Sequence, residues 1–276
     1  MSIHQYPKDQ DCFEQFRIKC DKCSGLCCTA LYFSKFDGFP SDKPAGLPCM
    51  NLDKDFRCII HGELKAKQMK GCLAYDCCGA GQTVTAICGS DNWSSNPGIA
   101  REIFDLFTKI FTLKQAAWYL TEVLTLTPAA ALWDRAESYL NQMTPLFDSS
   151  SKEISDFDAD EYCQKVHTLL MAAADSVRKE VCTAKKASPK RDFMGHNFKK
   201  AVLDGYDFHY SLLIAADLEG CSLKGSNFLG ADLRDTNIRN ADLSGSIFLT
   251  QGQLNAAQGN RNTRIPPHLA VPSAWK

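Results

Sequence analysis

The stretch ADLEGCSLKGSNFLGADLRDTNIRNADLSGSIF, Ala216 to Phe248, repeats itself every five residues. The division extends upstream to His196, giving HNFKK, AVLDG, YDFHY, SLLIA and then the quoted run. The central residues of these fives are Phe198, Leu203, Phe208, Leu213, Leu218, Leu223, Phe228, Leu233, Ile238, Leu243 and Phe248, every one of them Leu, Ile or Phe. Two residues before each centre stands mostly Ala, Ser, Thr or Cys. A period of five matches neither a helix at about 3.6 nor a flat strand at about 2. It suits a chain that turns a corner every fifth residue, with the large centre and the small residue both pointing inward. Self-similarity of this kind marks a solenoid.

These fives resemble the pentapeptide-repeat family, which implies a right-handed, four-sided β-helix of just under three coils. The tail, TQGQLNAAQGNRNTRIPPHLAVPSAW, resembles the ending common after such repeats: a short helix, then a Pro-rich segment closing on Trp275. A last coil exposes apolar side chains and unpaired backbone, so a cap is expected there. Some family members are acidic mimics of DNA. Here Lys199, Lys200, Lys224, Arg234 and Arg239 interrupt the acids, which argues against mimicry.

The other end of the chain has a different character. Of 14 cysteines, only Cys163, Cys182 and Cys221 lie beyond the first third. The densest group is CDKCSGLCC, Cys20 to Cys28, followed by GLPCMNL, DFRCIIH and GCLAYDC. Cys20 and Cys23 are spaced so that one tight turn brings both sulfurs to a single ion. Adjacent Cys27 and Cys28 point in different directions, which suggests two neighbouring metals, or one cluster with a supporting thiol. Zinc and iron–sulfur clusters both accept four thiolates, and the spacing suits either.

The pattern resembles the CxxCxxxCC cysteine-cluster proteins, described as zinc- or iron-chelating domains, over about residues 18–80. Matched position by position, the resemblance implies Cys20, Cys23, Cys27, Cys28, Cys49, Cys58, Cys72 and Cys77 as metal ligands. Cys78 and Cys88 fall outside it. His61, in CIIH, could replace a sulfur, although a lone loop histidine is more often simply exposed. Asp76 beside Cys77 could supply a carboxylate near the metal, but reads first as a surface acid. Cys163 and Cys182 fall on the apolar stripe of a helix and Cys221 in a small-residue slot, where a free thiol behaves as a small hydrophobe.

Between the two ends the pattern is helical. Ile99, Ile103, Phe104, Phe107, Ile110 and Phe111 recur at helical spacing behind Pro97. A second helix fits TPAAALWDRAESYLNQM, with Thr127 as cap and Pro128 at its first position. A third starts near Asp158 and runs to Val181, and FDSSSKEISD before it reads as a loop. The fold class expected is multidomain α+β. It has a small metal-stapled cysteine-rich domain at 1–95, a helical region at 96–190, and a pentapeptide-repeat β-helix with its cap at 191–276.

A net charge of −1 favours neither nucleic acid nor an anionic membrane as partner. MSIHQYPKDQDCFEQF is not a secretory signal, and no run of eighteen apolar residues occurs. A cytoplasmic location is therefore expected, where clustered cysteines mean metal or redox chemistry rather than disulfides. GAGQ, Gly79 to Gln82, lacks the frame of a phosphate loop, and no Ser-His-Asp or HExxH arrangement appears. Two function classes follow. One is a zinc or iron–sulfur protein acting through a protein or peptide partner, with the repeats as scaffold. The other is a metal-dependent enzyme or electron carrier modifying a protein or peptide.

Overall fold

A computed structural model of the chain describes residues 3–5, 12–181 and 190–275. Cys182 lies outside the described residues. The chain forms two compact units, one of Met1–Asp11, Thr121–Ala136 and Thr168–Lys276, the other of Cys12–Leu120 and Glu137–His167.

The cysteine-bearing unit is built on short helices: α1 (Leu26–Ala30), α2 (Lys70–Ala74) and α3 (Ala80–Cys88), then the long α4 (Ala100–Val123), α5 (Trp133–Met143), α6 (Ser151–Asp156) and α7 (Ala159–Val181). Helices α4, α5 and α7 have residues in both units. The 3.6-residue period of α4 buries Ile103, Phe107, Ile110, Leu113, Ala117 and Leu120. Phe13 and Phe16 pack on Trp118 with ring centroids 4.7 and 5.6 Å away. A smaller cluster of Phe33, Phe39 and Met69 takes in Cys49 and Cys72 at its edge.

Two helical expectations change. The segment read as a loop contains α6, because Ser150 and Glu153 form a reciprocal capping box. The segment read as one helix from Thr127 begins as a 3-10 turn, Thr127–Leu132, and only becomes α-helical at Trp133. Ala129 leaves helical dihedrals (φ −102°, ψ 15°), and the Trp133 indole N–H donates to Val123 O at 2.9 Å. Thr127 does not cap this turn; its hydroxyl donates to Ile3 O at 3.1 Å.

In the other unit the fives wind into coils of twenty residues. Parallel bridges join Asp192 to Leu212, Asn197 to Asp217, Val202 to Ser222 and Asp207 to Asn227, and each pairing is repeated one coil higher up to Asn227–Ile247. Four fives thus make one four-sided turn. The corners are residues of positive φ, one in every five from Gly195 to Asn240. Because the chain bends so often, each side offers a single bridging residue. The expected α+β class is corrected accordingly: among the described residues no strand is longer than an isolated bridge.

The inward positions follow the fives. All the predicted centres from Leu203 to Phe248 are buried, and Phe198, on the first coil, is half-buried. The small slots are equally buried from Ser211 to Ser246. Their polar atoms reach the coil before: Ser226 Oγ donates to Leu203 O and Thr236 Oγ1 to Leu213 O, both at 2.7 Å, and Cys221 Sγ to Phe198 O at 3.0 Å. The repeat also starts one five earlier than its sequence suggests, at Arg191–Gly195, with Phe193 buried. At the far end α8 (Gln251–Ala256) covers the last coil, and Gln253 Nε2 donates to Phe228 O and Ala231 O, each at 2.8 Å. The chain then returns to the coil edge, where Gln258 bridges Asn237 and Arg264 bridges Asp242. The Trp275 indole N–H closes the cap on Ala257 O at 3.1 Å.

Candidate metal centre

The eight predicted ligands sit on short elements held mainly by backbone hydrogen bonds. Cys20 opens a one-turn 3-10 helix, Cys20–Lys22, and Cys23 closes it with its N–H on Cys20 O at 3.3 Å. Cys27 and Cys28 lie on α1, their sulfurs 4.0 Å apart. Cys49 N–H donates to Cys28 O at 2.9 Å, which ties the GLPC loop to α1. Cys58 pairs across a bridge with Leu52. Cys72 is on α2, and Cys77 leads into α3 through Cys78 (φ 49°) and Gly79 (φ 77°). His61 is exposed.

The thiols differ in which of the others lie beside them. Burial pushes the Cys72 thiol up to about 12, and Cys28, Cys49 and Cys58 add to that. Burial also raises Cys58, with Cys28 and Cys49 as its thiol neighbours. Cys27 is raised first by its hydrogen bond with Cys28, then by burial, then by the charges of Cys28, Cys23 and Cys77. Burial raises Cys77 to about 11, with Cys23 among the smaller causes. Cys20 is raised by burial and then by Cys23 and Cys28. Cys58 and Cys72 thus share Cys28 and Cys49 as neighbours, Cys27 and Cys77 share Cys23, and Cys20 has both Cys23 and Cys28 beside it. The Cys28 thiol is held down, first by its hydrogen bond with Cys27 and also by Lys43, against burial.

Backbone geometry separately brings Cys23 and Cys77 together. A β-carbon on Gly81 would stand 2.6 Å from Cys23 Sγ and 4.0 Å from Cys77 Sγ, so both sulfurs crowd the same turn of α3. The N–H groups of Gly81 and Gly79 hydrogen-bond to Cys77 and favour its thiolate. Three cations flank the thiols, and no sequence motif announced them. Arg57 donates to Cys20 O at 2.9 Å, Cys23 O at 3.2 Å and Asp21 O. Lys43 is buried, with Cys49, Cys28, Cys27 and Cys72 as electrostatic neighbours. Lys114, its ammonium 4.0 Å from the Phe147 ring centroid, has Cys77 and Cys78 as electrostatic neighbours.

The donor set is chemically suited to a thiophilic ion: all eight are free thiols, with amide donors and cations beside them. Among the described residues, no group of three or more His, Cys, Asp or Glu side chains is placed so that it could hold a metal ion. Cys78 is buried, and its N–H donates to Asp76 Oδ1 at 2.7 Å. Asp76 is therefore not the surface acid its sequence suggests; burial raises its pKa while the Cys78 N–H opposes.

The chain carries pentapeptide repeats: that family matches residues 211–248 in 8 copies. Over nearly its whole length it is 37% identical to "Uncharacterized protein YybG" of Bacillus subtilis (strain 168), across 262 residues that make up 93% of this chain and 94% of that protein. The chain belongs to the family of YybG. Among solved structures, it is similar to a pentapeptide repeat protein (Rfr23) from the cyanobacterium Cyanothece 51142. Identity is 27% with a TM-score of 0.21, over 27% of this chain and 53% of that one, about half its length. No helix among the described residues is long and apolar enough to cross a membrane.

Proposed function

We propose that the chain is a metal-binding scaffold protein. The cysteine cluster holds two four-thiolate centres, one on Cys20, Cys23, Cys27 and Cys77 and one on Cys28, Cys49, Cys58 and Cys72. The metal is zinc, or iron in an iron–sulfur cluster. The observation that supports this reading is that Cys58 and Cys72 share Cys28 and Cys49 as neighbours while Cys27 and Cys77 share Cys23; dividing all eight four and four, with adjacent Cys27 and Cys28 apart, extends it. Four thiolates complete a tetrahedral zinc site or an iron–sulfur cluster.

When bound, the metal supplies a staple to loops that have little core of their own. Zinc binding in small domains is worth roughly 10–16 kcal/mol, as much as the whole stability of many domains, about 5–15 kcal/mol. The chain's own residues hold the loops for it. Arg57 gathers the Cys20–Cys23 turn, Gly79 and Gly81 present N–H groups to Cys77, and Lys43 fixes the end of α1. The repeats present a rigid face to a protein or peptide partner. Anaerobic purification followed by metal analysis and an absorption spectrum tests the metal. Two zinc ions per colourless chain, or iron with visible thiolate-to-iron absorption, is expected. Protein folded without metal would sink the reading.

A further inference from the structure

Residues 3–5 cross the turn at 125–127 as a single antiparallel rung, His4 against Leu126. Gln5 N–H donates to Thr125 O at 2.7 Å and Thr127 N–H to Ile3 O at 3.0 Å. So few backbone bonds hold a strap only loosely, and its side chains decide whether it stays down. Ile3 is buried, and His4 is 9% exposed. The His4 ring joins three segments. Its Nδ1 is 3.1 Å from Thr125 Oγ1, its Nε2 is 3.2 Å from Ser246 O on the coil, and its centroid is 6.2 Å from that of His268 in the tail.

A carbonyl only accepts, so Nε2 carries a hydrogen. Neutral His4 takes the Thr125 hydroxyl hydrogen at Nδ1. A second ring proton turns that bond round and sends the hydroxyl hydrogen to Glu122 O, 2.8 Å away. The hydrogen bonds survive, but the buried charge has no counter-ion. The Glu122 carboxyl faces the Phe248 N–H, and His268 brings a second imidazole. The strap also walls a cavity of about 740 Å³ with Thr127, Pro128, Glu180, Val181, Asp204 and Lys224. There Asp204 accepts from Ser222 Oγ at 2.6 Å and Lys224 N–H at 2.9 Å, while Glu180 and Lys224 are exposed.

We infer that residues 3–5 are an acid-released strap with His4 as its latch, closed while the ring is neutral and open once the freed ring takes a proton. Opening removes one wall of the cavity and uncovers Asp204 and Lys224 on the coil. Burial lowers His4 from 6.5 to about 4, with the Ser246 carbonyl opposing, and lowers His268 to about 3, with His4 adding to that. The released ring binds its proton near 6.5, so closure is complete above 6.5 and is lost as pH falls toward about 4. Glu122 acts in the opposite sense, since its contribution is greatest at low pH.

The test is hydrogen exchange on the full chain at pH 7 and pH 4.5, corrected for intrinsic rates. Protection of the Gln5 and Thr127 amides is expected to fall about 50-fold, the ratio given by ring pKa values of 6.5 when open and about 4 when closed. The Phe228 amide, bonded to Ile247 O within the coil, should keep its protection. His4→Gln keeps a donor and an acceptor but does not titrate, so its strap amides should show no such fall. Level protection in wild type would overturn the inference, as would an equal fall in His4→Gln or at Phe228. If His4→Gln does not fold, the ring resonances of wild type decide. A His4 ring that stays neutral to below pH 5 in the closed form supports the latch. One that titrates near 6.5 with Gln5 and Thr127 still protected overturns it.

Discussion

The carboxylate of Glu122 accepts the backbone N–H of Phe248 with both oxygens, each at 3.0 Å, in a fully buried position. Phe248 has φ 58° and stands where the fives end. One coil earlier, Phe228 N–H finds its partner in Ile247 O, nineteen residues ahead. Glu122 supplies to Phe248 the acceptor that another coil would have given. His4 secures the same region, its ring nitrogens 3.1 Å from Thr125 Oγ1 and 3.2 Å from Ser246 O.

This arrangement makes stability depend on pH. Burial raises Glu122 from 4.5 to about 8, with the Phe248 N–H opposing. The unfolded chain loses this proton near 4.5 while the folded chain keeps it, so the contribution is complete below 4.5 and is lost as pH rises to about 8. Burial also holds His4 and His268 down, to about 4 and about 3, so both are neutral over that window. Glu122→Gln should remove this slope. Urea titrations from pH 5 to 9 should show its advantage over wild type growing with pH and then levelling. A constant difference would refute the assignment.

The register of five makes a paired prediction. Leu218 is fully buried at a centre, and Leu218→Asp puts a carboxylate there at a cost of several kcal/mol, on the order of 3 or more. Arg234 lies one residue past a centre, exposed, with its guanidinium on Asp232. Arg234→Ala should change stability by no more than ~0.5 kcal/mol. Equal denaturation midpoints would contradict the register.

Single cysteine variants should each cost one centre. Cys20→Ala should release the metal of the first set and Cys49→Ala that of the second, each leaving about half the bound metal. The cysteine-bearing unit should loosen in both, with the repeats still folded, because the coils bury their own core. Hydrogen exchange resolved along the chain, with metal analysis, checks both parts; full metal content in either variant would refute the ligand sets.

Gly81 offers a test that leaves every thiol in place. In a helix interior, alanine is ordinarily better than glycine by about 1 kcal/mol. Here the added methyl would meet Cys23 Sγ at 2.6 Å, so Gly81→Ala should lower both melting temperature and metal retention. Gly62→Ala meets nothing within 4 Å and is the control. Matching behaviour of the two would place Cys23 elsewhere.

The coil was legible because a centre must be large and its companion small, whatever else the five contains. The first coil is the least regular, with Arg191, His196 and Tyr206 in small slots, because with no coil before it nothing there demands a small residue; the five at its very start went unread. Helix α6 was hidden for a related reason. Ile154 is its one fully buried side chain, so SSSKEISD shows no apolar stripe, and only Ser150 with Glu153 marked it. The thiols proposed as ligands stand out in the sequence as a list, but which of them lie beside one another does not. Cys77 joins Cys23 and Cys27 through the path of the chain between them, and Lys43 and Arg57 act through backbone carbonyls, which no side-chain motif records.

Because a residue's neighbour above is twenty positions ahead, the length of the stretch from Arg191 to Thr250 is quantised. One inserted residue turns the following centres away from the axis, as a register slip does in a sheet. Five inserted residues restore the facing but carry α8 round to a different side, away from the Phe228 and Ala231 carbonyls that Gln253 meets. Only whole storeys of twenty can be added or removed with the roof still fitting the walls.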